Sequence, residues 1–131
     1  MKTEYFKYNT GDEWLEKRAK YVNSTDSCAL FGMGKYCTEL ELNYRKSTGE
    51  EVEFVENDRI KAGKYLEPGI AALFGDVLDC EVKPLKEYAY DDECGMGSSF
   101  DFEIVNGKYE GWLLEVKNVD FMVYRDNWTD E

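Results

Sequence analysis

The stretch from Gly97 to Lys117 constrains this chain most. Ser98-Ser99-Phe100-Asp101-Phe102-Glu103-Ile104 and Trp112-Leu113-Leu114-Glu115-Val116-Lys117 flank an Asn106-Gly107 pair. Apolar, β-favouring runs on either side of Asn-Gly predict two strands joined by a tight turn. Strand side chains alternate faces with period two, so Glu115 and Lys117 are expected to point the same way with the Val116 carbonyl between them. Asp101 stands 14 positions before Glu115, a separation suited to the neighbouring strand. An Asp, a Glu, a backbone carbonyl and a Lys then meet in one small volume, the hard-oxygen environment that Mg²⁺ or Mn²⁺ selects. The plainer alternative is an exposed Glu–Lys pair of little energetic weight.

The chain has 131 residues, 43% of them hydrophobic and 15% aromatic. A chain of that length buries roughly two-thirds of its unfolded surface, so one ordered domain is expected over residues 1–131. No apolar run approaches the roughly 20 residues that a bilayer demands, and Met1-Lys2-Thr3-Glu4-Tyr5 lacks a signal-peptide core, so the expected location is the cytoplasm. There is no histidine, and Cys28, Cys37, Cys80 and Cys94 form no Cys-x-x-Cys pair. That spacing argues against a zinc site and for free thiols, several of them buried. An iron–sulfur cluster would need four distant loops to meet. The net charge of −12, from 28 acids and 16 bases, argues against a simple nucleic-acid binder. It is compatible with a carboxylate-rich metal site, a local basic groove or a basic partner.

In chain order, a helix is expected from about Asp12 to Lys20, with Trp14 and Leu15 inward and acids preceding bases as the helix dipole favours. Asn23-Ser24-Thr25-Asp26 offers caps for a second helix over about 25–31, stopping at Gly32. Its hydroxyls and free amides suit a phosphate as well as they suit simple capping. Thr38 is expected to cap a third helix to about Lys46, with Leu40, Leu42 and Tyr44 mostly in the core. Residues 58–74 carry the longest helical pattern, with an apolar stripe of Ile60, Leu66, Ile70, Leu73 and Phe74. Pro68 is expected to bend or restart this helix, directly after the carboxylate of Glu67. Residues 81–90 read as a strand, at an edge because of Pro84. A final segment, Asp120 to Trp128, follows the strand that carries Lys117. Helices followed by strands predict an α+β domain, the helices packed on a small central sheet.

Taken in order, the motifs are Trp14-x-x-x-Arg18, Ser24-Thr25-Asp26, Gly63-x-x-x-Glu67-Pro68, Ser98-Ser99-Phe100-Asp101 and Leu114-Glu115-Val116-Lys117. This set resembles the phage lambda exonuclease and YqaJ-type viral recombinase family, within the PD-(D/E)XK nuclease superfamily, over residues 12–128. The resemblance implies a restriction-endonuclease-like core with a small mixed central β-sheet. It implies a Mg²⁺- or Mn²⁺-dependent 5′–3′ exonuclease on double-stranded DNA with 5′-phosphate ends, acting in DNA recombination. Glu67, Asp101, Glu115 and the Val116 carbonyl correspond to the metal ligands, and Lys117 to the lysine that orients water and steadies the charged transition state. Arg18, Ser24 and Thr25 correspond to the phosphate- and DNA-binding positions. A phage or prophage protein in a bacterial host, a single-strand annealing recombinase as partner and a homotrimer are implied as well. Family members continue past the Glu-x-Lys strand into a helix and further strands, so a domain shortened at its C-terminus is expected here. The rival reading is a catalytically inactive, acidic interaction protein derived from a nuclease core that binds a nuclease or recombination partner.

Overall fold

The structure is a computed structural model that describes residues 2–50 and 56–119, together with 122, 124 and 125. Among the described residues four α-helices and six strands make an α+β chain, and it divides into two compact units. Each unit draws on two stretches of sequence, Met1–Phe54 with Leu85–Phe100 in unit 1 and Val55–Pro84 with Asp101–Glu131 in unit 2. Among the described residues, no helix is long and apolar enough to cross a membrane.

Unit 1 opens with strand β1 (Glu4–Lys7) and helix α1 (Gly11–Ala19), whose N-cap Thr10 accepts the Glu13 amide at 3.3 Å. Asp12 and Glu13 in the first turn and Lys17 and Arg18 in the last complement the helix dipole as expected. The second helix begins as a 3-10 turn, Ser24–Asp26, and continues as the short α2 (Ser27–Leu30). Helix α3 (Glu39–Thr48) starts in a reciprocal capping box between Thr38 and Glu41 and stops at left-handed Gly49, φ +70°. Strands β3 (Glu87–Asp91) and β4 (Met96–Ser99) complete an antiparallel sheet of order β1-β3-β4. Its register pairs Glu4 with Tyr90 and Tyr88 with Ser99. Val22 adds one parallel bridge to Met96, donating to the Gly95 carbonyl and accepting from the Gly97 amide, both at 2.9 Å.

The core of unit 1 is narrower than the sequence pattern implies. Tyr88 and Leu42 are fully buried, with Tyr21 and Ala29 beside them in the buried class. Leu40 and Tyr44 stand exposed, Leu40 at 79%, and Leu15 is turned outward too. On a helix, Leu40 and Tyr44 share a face and Leu42 lies about 200° around from it, so one set had to lose. The core took Leu42.

Unit 2 is built on helix α4 (Asp58–Leu78), capped by Asn57, whose side-chain oxygen accepts the Ile60 amide at 2.9 Å. The helix runs through Pro68 without restarting. Proline forfeits the one hydrogen bond its N–H would have made to the Lys64 carbonyl, and 21 residues of helix absorb that loss. The expected stripe is only partly covered: Leu66, Ile70 and Leu73 are exposed, Leu73 at 63%, and the buried positions are the small Ala71 and Gly75. Smallness is required there, because a Cβ on Gly75 would come within 2.8 Å of the Cys80 carbonyl oxygen. Strands β2 (Val82–Pro84), β5 (Phe102–Ile104) and β6 (Leu113–Leu114) form the second antiparallel sheet, order β2-β5-β6, with Phe102 and Ile104 buried. Pro84 lies on an edge strand, where its missing N–H costs no ladder bond.

Three expectations about the strands are corrected. Neither Gly97–Ile104 nor 81–90 is one strand; each splits, β4 from β5 and β2 from β3, and the halves join different sheets. The single mixed sheet is therefore two antiparallel sheets of three strands, with mixed character only at the Val22 bridge. The breaks fall at residues 85–86, just after Pro84, and at 100–101, where the Asp101 carboxylate accepts the Val116 amide. Asn106-Gly107 is not a two-residue hairpin turn. Asn106 Oδ1 accepts the Glu81 amide at 2.7 Å, which draws the pair toward β2. The β5–β6 connection widens to residues 105–112, closed by Gly111 N–H on the Ile104 carbonyl at 2.8 Å. All four cysteines are free, and none is buried. Most of the Asp120–Trp128 segment, and residues 51–55 of the acidic connector before α4, lie outside the described residues.

Candidate active site

In unit 2 the β5–β6 register pairs Phe102 with Leu114, so one step further along it sets Asp101 opposite Glu115. The ladder ends at Leu114, however, and residues 115–117 run on without strand pairing. Asp101 Oδ2 holds this extension by accepting the Val116 amide at 2.8 Å. Glu115 and Lys117 do point the same way, because the Lys117 ammonium bonds Glu115 Oε1.

Glu67 comes from α4. Its carboxyl sits above the ordinary glutamate range, first because it is half-buried and then because Asp101 and Glu115 repel its charge, while Lys117 pulls the other way. Glu67 thus feels the charges of Asp101, Glu115 and Lys117. Among the described residues no three acidic or thiol side chains converge closely enough to hold an ion as they stand. As the side chains stand, Glu115 is engaged by Lys117 and Asp101 by the Val116 N–H. The chemistry of the donors nevertheless fits a hard divalent cation, since all are oxygens and Glu67 bears a charge penalty that a cation relieves.

Along one face of α4, Arg59, Ile60, Gly63 and Glu67 line an open groove of about 260 Å³ with Val116 and Asn118. Nothing lies within 4 Å of where a Cβ on Gly63 would be, so the glycine leaves the groove wide beside Glu67. Arg59 and Asn118 were not singled out from sequence. The available signal was the spacing of Arg59, Gly63 and Glu67, four apart and hence on one helical face.

In unit 1, Arg18 Nη2 donates to Thr25 Oγ1 at 2.9 Å, and the guanidinium lies 4.6 Å from the Trp14 ring centre. The Trp14 indole N–H donates to Ser99 Oγ at 2.8 Å, which draws the Ser98-Ser99 motif to the same helix. Ser24 contributes its carbonyl, which accepts the Ser27 hydroxyl at 2.7 Å. Arg18 and Thr25 are therefore brought together. A guanidinium beside a hydroxyl is a pairing that recognises phosphate oxygens.

A model of the YqaJ-like viral recombinase domain matches residues 13–131, which takes in both centres. The class defined is thus a viral recombinase domain. The chain belongs to the YqaJ-like viral recombinase family. No curated protein and no solved structure matches it.

Proposed function

We propose that this chain is a metal-dependent deoxyribonuclease of phage recombination, hydrolysing double-stranded DNA from 5′-phosphate ends in the 5′–3′ direction. The observation that carries this reading is that Glu67 lines one groove with Val116, whose N–H is held by Asp101 and whose neighbours Glu115 and Lys117 are paired. Membership of a recombinase family supports it.

In this reading Glu67, Asp101, Glu115 and the Val116 carbonyl hold Mg²⁺ or Mn²⁺. A bound divalent ion supplies polarisation of the phosphate and a water acidic enough to attack at neutral pH. Lys117 exchanges its Glu115 partner for the attacking water and the negative charge that grows on the phosphate oxygens. Asp101 holds the Val116 backbone in register, which fixes where the neighbouring Glu115 and Lys117 side chains start from. Arg18, Ser24 and Thr25 hold a DNA phosphate, Arg18 through its planar fork. The domain is read as a restriction-endonuclease-like core spanning residues 1–131, assembling as a homotrimer and working beside a single-strand annealing recombinase in a bacterial host cytoplasm.

The net charge of −12 favours a second reading, an inactive acidic interaction protein that binds a nuclease or recombination partner. One experiment separates them: cleavage of linear duplex DNA bearing 5′-phosphates, with Mg²⁺ and with EDTA, beside Lys117→Ala. Metal-dependent cleavage lost in the variant supports the nuclease. No cleavage by the intact chain, with no thermal shift at millimolar Mg²⁺ or Mn²⁺, supports the interaction protein.

A further inference from the structure

Beneath the Arg18–Thr25 pair lies a side chain whose polar groups are all engaged. Asn23 is 5% exposed. Its Nδ2 donates to the Tyr21 carbonyl at 2.8 Å and the Arg18 carbonyl at 3.1 Å, with a longer approach to Asp26 Oδ2 at 3.3 Å. Its Oδ1 accepts the Tyr88 hydroxyl at 2.6 Å. Its backbone N–H donates to Asp26 Oδ2 at 2.9 Å, and the Asp26 amide returns to the Asn23 carbonyl at 2.9 Å. Lys46 closes the arrangement, 3.0 Å from Asp26 Oδ2 and 3.5 Å from the Arg18 carbonyl.

Tyr88 gives this cluster a fixed floor. It is fully buried, and a Cβ on Gly97 would stand 1.9 Å from its hydroxyl oxygen, so Gly97 is the residue that lets the ring lie where it does. Burial pushes the Tyr88 hydroxyl up to about 12, so it stays protonated and donates at any working pH. A primary amide is the side chain this position requires. It offers two donors and an acceptor on a short stem, and here the donors reach the carbonyls of Arg18 and Tyr21 while the acceptor takes the Tyr88 hydroxyl. Aspartate has the same shape but would turn acceptors toward those carbonyls.

We propose that Asn23 is a positioning residue that presets Arg18 and Thr25 for a DNA phosphate, by tying the last turn of α1 to the 3-10 turn that carries Thr25. This deepens the phosphate-binding part of the proposed function and rests on it. Arg18 carries a long flexible side chain, and fixing its backbone, its Trp14 stack and its Thr25 partner beforehand leaves less freedom to lose on binding.

The test is the affinity ratio between 5′-phosphorylated and 5′-hydroxyl duplexes of one sequence, measured with Mg²⁺ in a Lys117→Ala background so that the DNA stays intact. Asn23→Ala and Asn23→Asp are each expected to lower that ratio about tenfold, the scale of one lost hydrogen bond to a charged group. Tyr88→Phe, which keeps the packing, is expected to lower it about threefold, as a weaker neutral bond would. Adding Asn23→Ala to Arg18→Ala should change the ratio no further, because coupled residues do not add. A purely structural role would weaken both duplexes alike and would still do so without Arg18. A folded Asn23→Asp or Tyr88→Phe variant that keeps the full ratio, or an undiminished Asn23 effect without Arg18, overturns the positioning role alone. Equal affinity for the two duplexes before any Asn23 change overturns the phosphate seat, and the role of Asn23 with it.

Discussion

The polar centre of unit 1 and that of unit 2 are built on opposite electrostatics. Around Asn23 donors meet acceptors, and the one carboxylate, Asp26, has a cation and two N–H groups on it. Around Glu67, Asp101 and Glu115 add like charge, and Lys117, which bonds Glu115, opposes it. The first arrangement is complete by itself and holds geometry. The second leaves Glu67 with a charge penalty that its neighbours do not cancel. The difference shows in titration: burial pushes Asp26 up, but the Asn23 amide and Lys46 outweigh it and the carboxyl lies below its ordinary 3.8. Glu67 is moved the other way, above its ordinary 4.5.

The largest effect that tests this contrast is on catalysis. Asp101→Ala and Lys117→Ala are each expected to lower Mg²⁺-dependent cleavage on the order of a thousandfold, with the fold retained by circular dichroism. Equal cleavage by these variants would remove the unit 2 centre as an active site. Next comes rigidity in unit 1: Gly97→Ala drives a methyl into the Tyr88 hydroxyl and should cost about 1–3 kcal/mol in urea unfolding. A neutral result would mean that Tyr88 is not the fixed floor described.

Metal binding follows in size. Mg²⁺ or Mn²⁺ at a hundred times its dissociation constant should stabilise the wild type by about 2.7 kcal/mol. That gain should fade as the pH falls through the folded pKa of Glu67, because a protonated carboxyl is a poor ligand. Glu67→Gln should lose most of the metal effect and raise the Tm of the metal-free protein at neutral pH. The sign follows from the raised pKa: the folded form favours protonated Glu67, so the stability it contributes is full below 4.5 and is lost as pH rises through the folded value. A metal-independent Tm in the wild type would break the contrast. Smallest is Lys46→Met, expected to cost about 1 kcal/mol above pH 5. Asp26 runs opposite to Glu67, contributing stability above 3.8 and losing it as pH falls through its depressed value, so the Lys46→Met penalty should shrink in acid.

Local rules made the helices and their caps readable. Thr38 and Glu41 spell a capping box, Gly49 a left-handed stop, and both appear. That the two runs flanking residues 105–112 pair was readable too, but their register is set by the wider connection and not by a tight turn. What local pattern cannot express is competition between partners. Asn106-Gly107 has the composition of a hairpin turn, but the Asn106 side chain is taken by the Glu81 amide. Leu40 and Leu42 look equally apolar, and only the packing of unit 1 selects Leu42. In the candidate site, Asp101, Glu115 and Lys117 were singled out from spacing, and Arg18 and Thr25 from motif order. Asn23 read only as a cap, because its bonds to Tyr88, 65 positions away, have no local signature.

Strand β1 has a history that its final place in the sheet conceals. Glu4 pairs with Tyr90, and the Tyr90 hydroxyl also meets the Glu4 carboxylate across a separation of 86 residues. A ribosome adding about 5–20 residues per second makes β1 several seconds before its partner. During that wait β1 is an unpaired strand, the kind of segment that other chains can capture. Glu4 and Lys7 place opposite charges at its two ends, and such charges discourage pairing with a wrong edge. The strand is finished long before the one that holds it exists.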